Sequence, residues 1–210
     1  METYQTEEQQ VEAIKSFWQE NGNSLIAGLV IGLGGFIGWN YYQDSQLEAQ
    51  YLASYQYQQA MDAYSNKEAE YKANTQAFID NNSDQVYAVF AAFALAKDAV
   101  ETADFAEAEK QLSSAVALAQ STELKAIATL RLARVQLQQQ AFDKVLATLN
   151  KPLPESFKAA VAEVKGDAYL LQGNKQQARA EYQVAADAGG LQGNPTLQMK
   201  LDDLAVAVNS

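Results

Sequence analysis

Hydrophobic and polar positions divide the chain into two regimes. From Leu25 to Trp39 there is no charged residue, and the stretch from Ser24 to Tyr42 reads SLIAGLVIGLGGFIGWNYY. From Gln46 onward apolar residues recur instead at spacings of three and four, the pattern of helices that bury one face. The first regime predicts a membrane span. As a helix it would extend about 28 Å at roughly 1.5 Å per residue, which matches the hydrocarbon thickness of a bilayer. Trp39, Tyr41 and Tyr42 stand at one end, where an aromatic belt belongs, and Phe17 and Trp18 lie before the other. A cleaved signal peptide would need a basic leading region, and this one is acidic. A buried core helix would be poorly served by five glycines between Gly28 and Gly38. The predicted organisation is a tail over 1–23, a transmembrane helix over 24–42 and a soluble domain over 43–210.

The second regime repeats. Leu95-Ala96 is followed by Phe105, Ala108, Leu112 and Ala115; Leu132-Ala133 by Phe142, Val145 and Leu149; Gly166 by Tyr169, Gly173, Ala178, Tyr182 and Ala185. The small residues Ala96, Ala133 and Gly166 lie 37 and 33 positions apart. In every unit the offset to Ala108, Val145 or Ala178 is twelve, and to Leu112, Leu149 or Tyr182 sixteen. This is the tetratricopeptide pattern: small residues let two antiparallel helices approach, and large ones fill the gap between repeats. The second unit departs from it, with Val145 where Ala is usual and Pro152 at the last small position. Residues 46–80 read as a degenerate first helix pair packed through Tyr51, Tyr55, Tyr64, Tyr71 and Phe78. Residues 195–208 read as a closing helix that starts at Pro195 after Asn194. Loops are expected at Asn81-Asn82-Ser83, Gln120-Ser121-Thr122, Lys151–Glu155 and Ala188–Asn194. The predicted fold class is all-α: a single N-terminal transmembrane helix followed by a tetratricopeptide-like solenoid.

Composition narrows the chemistry. The chain has neither Cys nor His, which removes thiol nucleophiles, disulfides, zinc-finger sites and His-based acid–base work. The net charge is −11, without the clustered Lys and Arg of a nucleic-acid surface. Glu107, Glu109, Asp202 and Asp203 read as solvated helix faces. The Gly189-Gly190 and Gly193 loop lacks the strand and lysine of a phosphate cradle. No catalytic constellation, metal site or cofactor motif emerges, so the chain reads as non-enzymatic.

Two sets of residues are candidates for contact with partners. Gly28, Gly32 and Gly35 share one face of the span, a smooth surface another membrane helix could approach closely. Glycine is also simply common in membrane helices, which is the competing reading. In the solenoid, the first helix of each pair lines the concave side. Phe93 and Lys97, then Leu130, Arg131 and Arg134, then Glu163 and Asp167 are expected there. Arg131 and Arg134 could anchor a partner's carboxylates, or pair internally with Asp167 or Glu163. Orientation is weakly encoded: Lys15 precedes the span and no Lys or Arg follows it until Lys67, which leans towards tail inside and domain outside.

The opening METYQTEEQQVEAIKSFWQENG, the glycine-rich GLVIGLGGFIGW, the run LKAIATLRLARVQLQQQ and the ending LQMKLDDL together resemble the YfgM family. These are ancillary subunits of the bacterial SecYEG translocon in Gram-negative inner membranes. The similarity covers essentially the whole chain. It implies a cytoplasmic N-terminus, a periplasmic C-terminal domain, and association with SecYEG and with PpiD, a membrane-anchored periplasmic chaperone. It further implies an adaptor that helps pass translocated proteins to periplasmic chaperones, with the tail linked to a cytoplasmic stress-response regulator. The family has no established catalytic residues to carry over. A structural factor that scaffolds an envelope complex without binding clients remains the alternative.

Overall fold

The structure, a computed structural model, describes residues 7–207. The first six residues of the expected tail, and the last of the expected closing helix, lie outside the described residues. The described residues contain helices and no strand. The chain divides into two units, Met1–Leu52 and Ala53–Ser210.

The first unit is carried by helix α1, Glu7–Ser65, which runs without a break through the expected span. Leu25, Ile26, Leu29, Val30, Ile31, Leu33, Phe36 and Ile37 are all exposed. Apolar side chains point outward all round the helix. A soluble helix would hide one such stripe in a core; this one has the length and apolarity to cross a membrane. Beyond the apolar stretch, Trp39 and Tyr42 lie with ring centroids 6.2 Å apart. Tyr51 and Tyr55 are exposed as well, which corrects the expectation that they pack the first helix pair.

The second unit stacks helices in chain order. The last turns of α1 are followed by α2 (Tyr71–Asn81), α3 (Val86–Glu101), α4 (Phe105–Leu118), α5 (Thr122–Gln138), α6 (Phe142–Leu149), α7 (Lys158–Leu171), α8 (Lys175–Ala185) and α9 (Pro195–Ala207). The pairs α3–α4, α5–α6 and α7–α8 are joined by the three-residue turns 102–104, 139–141 and 172–174. The turns share one geometry. Ala103, Gln140 and Gly173, each seven residues after its repeat's small anchor, have φ of 57°, 57° and 82°. The next amide in each donates back across the helix end: Asp104 to the Ala99 carbonyl, Ala141 to Gln136 and Asn174 to Tyr169, at 2.8–2.9 Å. Only the third turn uses glycine for the left-handed position, which costs a residue with a Cβ about 1 kcal/mol or more. The α1–α2 turn is longer, spanning residues 66–70. That insertion is why the first pair does not fall on the twelve and sixteen offsets.

Local chemistry starts and stops the helices. Asp104 and Ser121 accept hydrogen bonds from the Glu107 and Leu124 amides at 3.1 Å, capping α4 and α5. Asn194 accepts from the Leu197 amide at 3.2 Å and caps α9, with Pro195 in the first helical position. Helix α6 is short because Pro152 and Pro154 follow it. The expected loop at Ala188–Asn194 begins later than predicted, since one wide helical turn spans Ala186–Gly190, with Gly189 inside it in left-handed backbone at φ 84°.

The core is a series of layers between successive helices, as a solenoid requires. The anchor Ala96 packs with Ala108 and Leu112, and Ala133 packs with Val145 and Leu149. The last layer joins Ala178, Tyr182 and Leu197. The first layer brings Phe78 and Ile79 of α2 against Val89 and Leu95 of α3. Tyr57 of α1 fills it from the side, its ring 6.0 Å from Phe78 and 5.2 Å from Tyr87. Tyr64 and Tyr71 meet edge to face at 5.6 Å.

One buried charge ties the long first turn to α3. Asp98 is 4 % exposed. It accepts from Lys67, from Lys72 at 2.8 Å and from the Tyr71 hydroxyl at 3.0 Å. Lys67 and Glu70, with φ of 51° and 63°, hold the turn in left-handed backbone. Burial by itself pushes the Asp98 carboxyl up, but the hydrogen bonds from Lys67, Lys72 and Tyr71 outweigh it and hold the group at about 2, below its ordinary 3.8. A folded-state value below the unfolded one means the stabilisation is complete above about pH 4 and is lost as pH falls towards 2. Both lysines are half in water, so the contribution is on the order of 1–2 kcal/mol. Asp98→Asn should therefore lose about that much against denaturant at neutral pH and show a shallower loss of stability on acidification. Parallel pH profiles for the two proteins would rule the network out as a stabilising element.

Candidate binding groove

A groove of about 540 Å³ opens between α3 and α5. Helix α3 lines it with Phe90, Phe93, Lys97 and Val100, at spacings of three and four that place them on one face. Helix α5 contributes Arg131, Arg134 and Val135, and Leu112 of α4 is also among its walls. The Arg131 guanidinium carbon lies 4.3 Å from the centroid of the Phe93 ring. A cation over a partly exposed aromatic face is worth about 0.5–1 kcal/mol, enough to hold the arginine over the groove. Phe90 is 39 % exposed. Lys97 reaches Glu101, one turn on, at 3.6 Å.

Four of the seven residues expected on the concave face, Phe93, Lys97, Arg131 and Arg134, thus meet in one place. Leu130 does not join them. It is 5 % exposed and packs with Ala133, Val145 and Val164, because α5 is covered on the side facing α7 as well as on its other flanks. Phe90 and Val100 join the face, and continuing the three–four spacing from Phe93 and Lys97 in both directions reaches them.

Glu163 and Asp167, expected to extend the same face, serve the closing helix instead. Lys200 of α9 lies 2.9 Å from Glu163 and 2.7 Å from Asp167. The Asn194 side-chain amide donates to Glu163 at 2.9 Å, and the Tyr182 hydroxyl donates to Asp167 at 2.6 Å. Burial would lower the Lys200 ammonium, but hydrogen bonds to the two carboxylates raise it above its usual range. Burial and then Asp167 push the Tyr182 hydroxyl upward. The internal partners expected for Arg131 and Arg134 are engaged by Lys200, and among the described residues neither arginine forms an ion pair.

In the apolar stretch of α1, a Cβ added at Gly28, Gly32 or Gly35 would meet nothing within 4 Å. Among the described residues, no contact accounts for glycine at these three positions.

The tetratricopeptide repeat-like domain family matches residues 15–206. A protein of Haemophilus influenzae named ancillary SecYEG translocon subunit is 37% identical over 198 residues, covering 94% of this chain and 97% of its own. Its namesake from Escherichia coli is 34% identical over 98% of this chain and 100% of its own, and one from Neisseria gonorrhoeae is 27% identical over 97% and 100%. No solved structure matches the chain. Given a family match over nearly the whole sequence and relatives aligned end to end, the chain belongs to the YfgM family, the tetratricopeptide repeat-like ancillary SecYEG translocon subunits.

Proposed function

We propose that this chain is a non-enzymatic inner-membrane adaptor that associates with the SecYEG translocon and helps pass translocated proteins to periplasmic chaperones. The observation that carries the reading is the end-to-end similarity to proteins named for that association. It is supported by the exposed apolar stretch of α1, a helix long and apolar enough to cross a membrane. In this reading residues 24–42 cross the membrane, the tail 1–23 is cytoplasmic and 43–210 is periplasmic. Lys15, with no further basic residue until Lys67, leans the same way. PpiD is the proposed chaperone partner, and the tail is the part proposed to meet a stress-response regulator. The anchor concentrates the repeats beside the translocon, so contacts made there gain effective concentration without great intrinsic affinity. Gly28, Gly32 and Gly35 are proposed as the face against a partner's membrane helix.

Crosslinking in intact membranes, followed by purification of the full chain, tests this. SecYEG and PpiD are expected among the products. Protease added to spheroplasts should digest the domain and spare a small N-terminal fragment. A triple Gly28→Leu, Gly32→Leu, Gly35→Leu variant should insert normally yet recover less of the partners. Absence of SecYEG from the crosslinked products sinks the adaptor reading. A domain protected until the membrane is broken overturns the topology.

A further inference from the structure

The groove between α3 and α5 differs in charge from the rest of the molecule. The chain carries −11 overall, and residues 43–210 carry 21 acids against 14 bases. Yet the groove gathers Lys97, Arg131 and Arg134 against the single acid Glu101, which already faces Lys97. Among the described residues the two arginines form no ion pair, and Lys200 of α9 engages Glu163 and Asp167. Beneath them the walls are apolar: Phe93, Val100, Leu112 and Val135, with Phe90 at the edge. A volume of about 540 Å³ is room for one or two large side chains rather than for a folded surface.

We propose that this groove binds a polypeptide segment in which an aromatic or large aliphatic side chain is flanked by Asp or Glu. The apolar side chain enters between Phe93 and Val135, and the flanking carboxylates take the guanidinium groups of Arg131 and Arg134. Guanidinium forks match carboxylates in geometry, and Phe93 preorganises one fork by stacking under it, so less side-chain freedom is lost on binding. The occupant is chosen by charge complementarity. A basic segment would meet Lys97, Arg131 and Arg134 here and be repelled. An anionic bilayer would meet the same three cations but also the surplus acids of the domain around them. This site deepens the adaptor reading by giving the chemistry of what the repeats hold, and rests on it for why a segment should be there.

The test uses the full chain in nanodiscs of neutral phosphatidylcholine and fluorescent peptides read by anisotropy. The probes are a peptide with Phe-Leu between pairs of Asp, the same peptide with Lys for Asp, and the same with Ser for Phe-Leu. The first should bind, and the other two should be about tenfold weaker or worse. Arg131→Glu/Arg134→Glu, at two exposed positions, should weaken the acidic peptide by about tenfold or more and gain affinity for the Lys-flanked one. Unchanged thermal melting of that variant shows that the loss is local. Equal binding of all three peptides, or a charge-reversed variant that behaves as wild type, overturns the proposal. So does retention by vesicles of anionic phosphatidylglycerol that needs both arginines while no peptide binds, which would make the groove a lipid site. SecYEG recovery after crosslinking is measured on the same variant. Lost peptide binding with SecYEG retained separates the groove from the adaptor reading, and lost SecYEG in the wild type would sink that reading alone.

Discussion

Replacing Gly166 by alanine is expected to destabilise the domain by about 2 kcal/mol, against the general rule that Gly→Ala inside a helix is favourable. A Cβ at this position would lie 2.4 and 2.5 Å from Cε1 and Cδ1 of the Tyr182 ring. The ring has nowhere to go. Tyr182 is fully buried, packed with Ala178 and Leu197, and its hydroxyl is fixed at 2.6 Å on Asp167. Overpacking of this kind costs about 1–3 kcal/mol, and with ring carbons so close the upper end applies; the better helix propensity of alanine returns about 1. The equivalent pairs in the other repeats are Ala96 with Leu112 and Ala133 with Leu149. They show the remedy. Tyr182→Leu added to Gly166→Ala should be more stable than Gly166→Ala alone, even though it gives up the hydroxyl bond to Asp167. Thermal melting of the single and double variants, followed by circular dichroism, measures this. A single variant that melts like wild type means the ring can shift, and the close approach of α7 and α8 is then not what holds the last repeat.

Ala108→Leu and Ala178→Leu should each cost about 1–3 kcal/mol. Both alanines have no exposed surface, and both stand twelve residues after a small anchor on the facing helix. At these crossings the gap between two helices is set by a methyl group, so three additional carbons must displace a helix or enter strained rotamers. Val145 fills the same position in the second repeat, also without exposed surface. The middle hairpin thus tolerates a larger side chain, and its second helix is only Phe142–Leu149. Ala106, exposed on the same helix as Ala108, is the control: Ala106→Leu should leave the melting temperature nearly unchanged. Equal melting of the Ala106 and Ala108 variants would mean that the crossing is not where the repeat alignment puts it.

The parts of this protein that were legible from sequence are those a helix repeats along its own length. The uncharged stretch from Leu25 to Trp39 shows its nature by composition, because only lipid or a partner can cover a helix that is apolar all round. The twelve and sixteen offsets were visible because helical geometry sets which residues share a face, and equal three-residue turns keep the second helix in step. Where the turn lengthens, at residues 66–70, the arithmetic lost its footing. Periodicity there points to Tyr51 and Tyr55, which are exposed, whereas Tyr57 is the residue that packs into the layer. The rest depended on pairings between distant positions. Asp98 meets Lys67 across 31 residues and Gln136 meets Glu109 across 27, and no local pattern marks either. Leu130 and Arg131 are neighbours in sequence, yet one lies in the core and the other over Phe93. Periodicity could say that they face different ways, but only the packing of α7 against α5 decided which way is inward. In the same way, Lys200 of the closing helix claims Glu163 and Asp167, the internal partners the sequence offers Arg131 and Arg134. Tertiary structure decided which charges are left over, because an ion pair depends on distance in space and the sequence records only distance along the chain.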